Sequence, residues 1–157
     1  MKLAAAIIAY NAEKKLPELL DSLKKQVDYI VIGIDAKTTD GSKAIAEKYG
    51  AIVYDAPDVM LLDGGFAEAR DICFSNVPAD AEGTMWIDTD DVFCADAPVK
   101  DLLAKMGQNV SGVVLPYVYF RDSFGNITTL FDRERILRMA HGPVWAGPLH
   151  ETVQMKN

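Results

Sequence analysis

The stretch "GTMWIDTDDVF", Gly83 to Phe93, drives an apolar run straight into three carboxylates. Met85, Trp86 and Ile87 have the character of a buried strand, and Asp88, Asp90 and Asp91 follow at once. Like charges this close repel, and each raises the pKa values of its neighbours. A bound divalent cation would turn that repulsion into attraction. The plainer reading is a solvated acidic loop, and a D-x-D pattern alone does not exclude it, because short motifs match by chance. The position at the tip of an apolar strand, with Trp86 beneath, favours a site.

Upstream of this stretch, strand and helix signals alternate. Leu3–Ala9 is a continuous apolar run, as expected of a strand covered on both faces. Leu16, Leu19, Leu20, Leu23 and Val27 then recur at helical spacing, with Pro17 tolerable at the helix start. Tyr29–Ile34 predicts a second strand. Thr39-Asp40-Gly41-Ser42 offers N-caps for a helix through Tyr49, and Gly50 closes it. Ala51–Tyr54 predicts a third strand, Phe66 to Asn76 a helix, and Thr84–Ile87 the fourth strand. This β-α-β-α-β-α-β order means a parallel sheet with helices on both faces and right-handed crossovers. Downstream, Gly112–Phe120 and Ile127–Phe131 flank the turn cluster Asp122–Asn126 and read as an antiparallel hairpin added to that sheet. The tail from His141 to Glu151 holds both histidines and little regular pattern. The fold class is therefore α/β, an open mixed sheet in one domain. Residues 1–95 form its ligand-binding half, and residues 96–157 its hairpin and His-Glu tail.

The bulk numbers agree. The chain has 157 residues, enough for one domain with a real core, and half of them are apolar. The formal net charge of −7 argues against nucleic acid or an anionic membrane as partner, since both reward clustered Lys and Arg. Any polyanionic ligand must then be held by a local cation. Cys73 and Cys94 match no metal or redox spacing and read as buried thiols in a reducing compartment. No apolar segment approaches the roughly eighteen residues that span a bilayer, and the N-terminal run is too short for a signal peptide. Together these give a cytoplasmic location as the expectation.

Ligands of open α/β sheets bind beyond the carboxyl ends of the parallel strands. The first strand ends in Tyr10 and Asn11, and the second in Asp35, Lys37, Thr38 and Thr39. The third ends in Asp55 and Asp58, and the fourth in Asp88, Thr89, Asp90 and Asp91. Such a rim suits Mg²⁺ or Mn²⁺, which prefer oxygen ligands and accept one or two carboxylates plus water and phosphate. Asp-Ala-Pro-Asp at Asp55–Asp58 reads as a plain turn. Arg121, Arg133, Arg135 and Arg138 read as a solvated hairpin face. His141 reads as structural, and Trp145 as capping the core in preference to paving an acceptor shelf.

Four segments, in order, give the chain a resemblance to the family 2 glycosyltransferases, which have the GT-A fold. "IIAYNAEKKLPELLDSL" looks like their opening strand, nucleotide loop and first helix, and "IVIGIDAKTTDGSKAIAEKYG" like their second unit. "GFAEARDICFSNVPADAEGTMWIDTDDVF" looks like their Ala-Arg-Asn helix and D-x-D strand, and "RERILRMAHGPVWAGPLHETV" like a Trp-x-Gly-x-x-His-Glu ending. The resemblance implies a nucleotide-sugar donor, most often a UDP-sugar, and a required Mn²⁺ or Mg²⁺. It implies that Tyr10, Asn11 and Asp35 meet the uridine, that Arg70 sits near base or ribose, and that Asp88 and Thr89 face the ribose and metal-bound waters. Asp90, with Asp88 and His150, would hold the metal. Inverting transfer needs a base within hydrogen-bond reach of the acceptor hydroxyl. Glu151 is the first candidate and Asp91 the second.

Departures from the family pattern are Ala36 for the second acid of the usual pair and Asp71 for Asn. Relatives usually continue into an acceptor-binding region, so the expectation is a near-minimal member whose acceptor, a glycan, lipid or protein hydroxyl, is unspecified. Two other functions compete. One is a UDP-sugar-binding module with weak hydrolysis that needs a partner, or a homo-oligomer, to complete the acceptor wall. The other is a haloacid-dehalogenase-type phosphatase, disfavoured because three strands precede the D-x-D here.

Overall fold

The computed structural model describes residues 1–95, 97–105, 107–147 and 151–156. Strand β1 (Leu3–Ala9) is buried almost throughout and forms the axis of the sheet. Helix α1 (Leu16–Leu23) lays Leu16, Leu19, Leu20 and Leu23 on it, the stripe that the helical spacing predicts. Strand β2 (Tyr29–Asp35), helix α2 (Ser42–Lys48) and strand β3 (Ile52–Ala56) follow. Gly50 ends the α2 segment with φ +75°, a conformation that glycine adopts without strain. Helix α3 (Gly65–Ser75) leads to β4 (Gly83–Trp86).

These four strands pair in parallel in the order β3-β2-β1-β4. Alternation along β1 sends Leu3, Ala5, Ile7 and Ala9 to a core with α1 and α2, and Ala6 to a second core with α3 residues Ala67, Cys73 and Phe74. The helices therefore cover both faces, as the sequence pattern predicts. Gly33 on β2 has a specific reason to be glycine: a Cβ there would run into the Tyr54 ring of β3.

The second half departs from expectation in detail. A short helix α4 (Lys100–Lys105) precedes β5 (Gly112–Arg121) and β6 (Ile127–Arg138). The hairpin joins the sheet through its second strand, giving β3-β2-β1-β4-β6-β5 with the last two pairings antiparallel. β6 runs seven residues beyond the predicted Phe131, because Arg135, Ile136, Leu137 and Arg138 are buried where the strand enters the sheet beside β4. The solvated face expected of the four arginines is thus corrected for two of them. Arg138 is 2% exposed, with its Nε donating to the Val110 carbonyl, and Arg135 is 7% exposed. The tail also gains order as β7 (Pro143–Ala146) paired with β8 (Thr152–Met155). Among the described residues no helix is long and apolar enough to cross a membrane.

Candidate functional site

Parallel pairing puts the carboxyl ends of β1, β2 and β4 on one rim, and a cavity of about 550 Å³ opens there. Tyr10 after β1, Asp35 at the end of β2, and Asp88 and Thr89 after β4 line it, together with Lys37 and Phe66. Four predicted site residues from three strands thus meet in one place. Tyr10 is exposed, and Asp35 is buried. One Asp35 oxygen accepts the Lys37 N–H at 2.8 Å, and the other accepts the Val59 N–H at 2.9 Å. That carboxylate therefore fixes two loops of the rim at once. Asp58 also does more than form a plain turn. It is buried, caps the short 3-10 turn Val59–Leu61 by accepting from Met60 N–H, and lies 3.0 Å from Lys37 Nζ. Asn11 acts alongside the cavity: its φ is +43°, and its side-chain oxygen accepts the Thr39 N–H.

The three carboxylates of the opening stretch have separate fates. Asp88 Oδ1 accepts from Arg70 Nη2 at 2.8 Å. Asp91 lies 3.2 Å from Arg135 Nη1 and also accepts from the Tyr117 hydroxyl at 3.0 Å. Among the described residues Asp90 has only Lys15, 3.7 Å away, and both side chains are well exposed, so that pair contributes little. Burial pushes the Asp91 carboxyl above the usual carboxylate range, against the pull of Arg135. Tyr117 is pushed up to about 12, first by burial and then by Asp91. Two of the three charges thus have arginines as counter-ions, which repetition along the strand did not reveal.

Arg70 is 5% exposed and stands behind the rim. Besides Asp88 it donates from Nε to Glu151 Oε1 at 2.6 Å, so the tail carboxylate reaches the D-x-D segment through one guanidinium. Burial opposes the Arg70 charge, but Asp88 and Glu151 more than offset it, and its pKa is raised. Its guanidinium lies 4.4 Å from the Trp86 ring and 5.2 Å from Trp145. Trp145 is core, packed edge-to-face on Phe74 and Trp86. His141 is structural too, within 2.9 Å of Ser111 Oγ. His150 lies outside the described residues.

Asp90 and Asp91 turn away from the first cavity and line a second, of about 760 Å³, between the segment that follows them and β5. Tyr117, Tyr119 and Phe120 supply aromatic walls, and Cys94 and Arg135 also border it. The D-x-D segment is therefore the shared wall of two cavities. Among the described residues no three His, Cys, Asp or Glu side chains converge as a metal site. Among the described residues, the open oxygens of the D-x-D pair are those of Asp90 and the Asp88 oxygen not used by Arg70, a donor set that fits a hard cation sharing its shell with phosphate. Sequence reasoning missed Arg135 and Tyr117. The signal available was an arginine one residue before the apolar pair Ile136-Leu137, inside a strand too apolar at that end to be solvated.

Residues 5–152 match the model of the family described as Glycosyl transferase family 2. The chain is 27% identical over 149 residues to the poly(ribitol-phosphate) beta-N-acetylglucosaminyltransferase TarS of Staphylococcus aureus (strain Mu50 / ATCC 700699), covering 85% of this chain and 26% of TarS. It thus spans about a quarter of that relative's length. The crystal structure of S. aureus TarS 1-349 superposes with a TM-score of 0.54 at 26% identity over 89% of this chain and 48% of that one. A second S. aureus TarS crystal structure superposes with a TM-score of 0.51 at 30% identity, over 66% of this chain and 19% of that one. The architecture is the GT-A fold.

Proposed function

The chain belongs to glycosyl transferase family 2, and on that premise we propose that it transfers a sugar from a UDP-sugar to a hydroxyl acceptor, with inversion at the anomeric carbon. The observation that carries the reading is the D-x-D segment standing as the common wall of two cavities. The first, with Tyr10 and Phe66 beside Asp35, takes the nucleoside. The second, with its aromatic walls, takes the acceptor. The sugar crosses between them.

Asp90 and the second oxygen of Asp88 would hold Mg²⁺ or Mn²⁺, with His150 as a further ligand. When bound, the cation supplies charge neutralisation for the diphosphate and for its departure. The protein's own residues do the rest. Asp35 keeps the Lys37 and Val59 loops in place for the base and ribose. Arg70 orients Asp88 and Glu151 together. Among the described residues one Glu151 oxygen accepts no hydrogen bond, whereas both Asp91 oxygens are engaged. The base is therefore assigned to Glu151 before Asp91. It takes the acceptor's proton as the acceptor oxygen bonds to the anomeric carbon and the bond from that carbon to the phosphate oxygen breaks, releasing UDP.

The related TarS is an N-acetylglucosaminyltransferase by name, so UDP-N-acetylglucosamine is the first donor to try. The test is calorimetric titration of UDP and UDP-sugars with Mn²⁺ and then EDTA, on the wild type and on Asp90→Ala. Metal-dependent UDP binding that disappears in the variant is expected. No UDP binding under any condition would overturn the reading. Binding without sugar transfer to any hydroxyl acceptor would leave a donor-binding module.

A further inference from the structure

Asp91 closes the turn that carries the D-x-D residues. Its Oδ2 accepts the Asp88 N–H at 3.3 Å, and its own N–H donates to the Asp88 carbonyl at 3.1 Å. The same carboxylate is gripped from the β5–β6 hairpin. The Tyr117 hydroxyl on β5 donates to Oδ1 at 3.0 Å, and Arg135 Nη1 on β6 lies 3.2 Å from Oδ2. Arg135 is itself immobilised. Its guanidinium packs 4.0 Å from the Trp86 ring and 4.4 Å from the Tyr117 ring, and Nη1 also reaches the Trp86 carbonyl at 3.4 Å. A planar fork held between two rings loses little further freedom when it binds a carboxylate. Arg135 and Tyr117 are absent from the walls of the first cavity, so their influence on it must pass through the turn.

We propose that Arg135, with Tyr117, is a positioning residue that acts through Asp91 to set the D-x-D turn, and so aims Asp88 and Asp90 at the metal and diphosphate. The third carboxylate is then a staple for the other two. The hairpin, far away in sequence, decides the geometry of the ion site. An Asp91 without Arg135 would be a nearly buried, unneutralised charge. It would leave the turn for water and take the Asp88 N–H bond with it. This inference rests on the reading that Asp88 and Asp90 hold the metal.

The experiment measures UDP affinity by calorimetry, with Mn²⁺ and with EDTA, for the wild type, Arg135→Met, Asp91→Asn and the double variant. Thermal melts check folding, and Arg135→Gln, which also removes the charge, replaces Met if that variant does not fold. The quantity read is the gain in UDP affinity due to Mn²⁺. Each single variant should reduce it by about tenfold or more, the scale on which partners behind metal ligands act. The double variant should lose no more than the singles, because both act through one contact. UDP affinity in EDTA should fall by less than the metal gain does, a split that general structural damage would not produce. An intact metal gain in Arg135→Met, losses that multiply, or equal losses with and without Mn²⁺ would overturn the inference. A wild type with no metal gain would sink the metal reading and this inference with it. A wild-type gain that survives Arg135→Met sinks this inference alone.

Discussion

Arg70→Met tests the buried ion triad directly. Met keeps a long apolar stem but removes the charge that Glu151 and Asp88 share. The two carboxylates are unequal, because the Glu151 side chain is 12% exposed and that of Asp88 is 44% exposed. Water screens Asp88, so Glu151 carries the stability effect. Stripping the partner from a buried charge costs about 3–5 kcal/mol, and the residual exposure of Glu151 points to the low end, about 3 kcal/mol. The guanidinium contact with Trp86 at 4.4 Å is lost as well, worth about 0.5–1 kcal/mol, part of which the thioether recovers against the ring. For a chain of this size 1 kcal/mol lowers the melting midpoint by about 2–4 °C, so a fall of about 6–12 °C is expected. The decisive comparison is Arg70→Met combined with Glu151→Gln. Neutralising the stranded carboxylate should restore about 1–2 kcal/mol, making the double variant more stable than Arg70→Met. Thermal and urea unfolding read both. A double variant no more stable than Arg70→Met would refute the reasoning, as would a single-variant loss below about 1 kcal/mol.

The burial expected of both thiols holds for Cys73 alone, and Cys94 is exposed and borders the second cavity. A bulky maleimide should label Cys94 alone and block transfer while UDP binding survives, and unchanged transfer after full labelling would remove the acceptor from that cavity. Gly33→Ala should cost about 1–3 kcal/mol in urea unfolding by overpacking against the Tyr54 ring, and adding Tyr54→Val should recover most of it. Asp28 accepts the Leu3 N–H at 3.0 Å, which with Lys100 holds its carboxyl below the usual range. A lowered folded pKa means that its stabilisation is complete above the unfolded value of about 3.9 and is lost as pH falls through the folded one. Asp28→Asn should therefore flatten the acid limb of stability below about pH 4, and an unchanged acid limb would contradict this.

Local chemistry decided a large part of this molecule. The leucine spacing of α1, the apolar runs of β1, β2 and β4, and the stop at Gly50 each follow from a few neighbouring residues. Once the strands are parallel, their carboxyl ends share a rim, so Tyr10, Asp35, Asp88 and Thr89 had to meet without any distant contact being known. The counter-ions were a different matter. By charge and spacing alone, Asp88, Asp90 and Asp91 look equivalent and in need of one external cation. Among the described residues the fold gives Arg70 to the first and Arg135 to the third and leaves Asp90 with the exposed Lys15 alone. Which cation meets which carboxylate depends on burial and on strand order, here on β6 in preference to β5 entering beside β4. A Coulomb interaction between residues distant in the chain carries no periodic signature in it. The first three helices, the four parallel strands and the rim were therefore settled by short-range periodicity, whereas α4, the inner end of β6 and the β7–β8 pair were not. The partition of the three charges waited for tertiary packing, because only packing sets distance and dielectric.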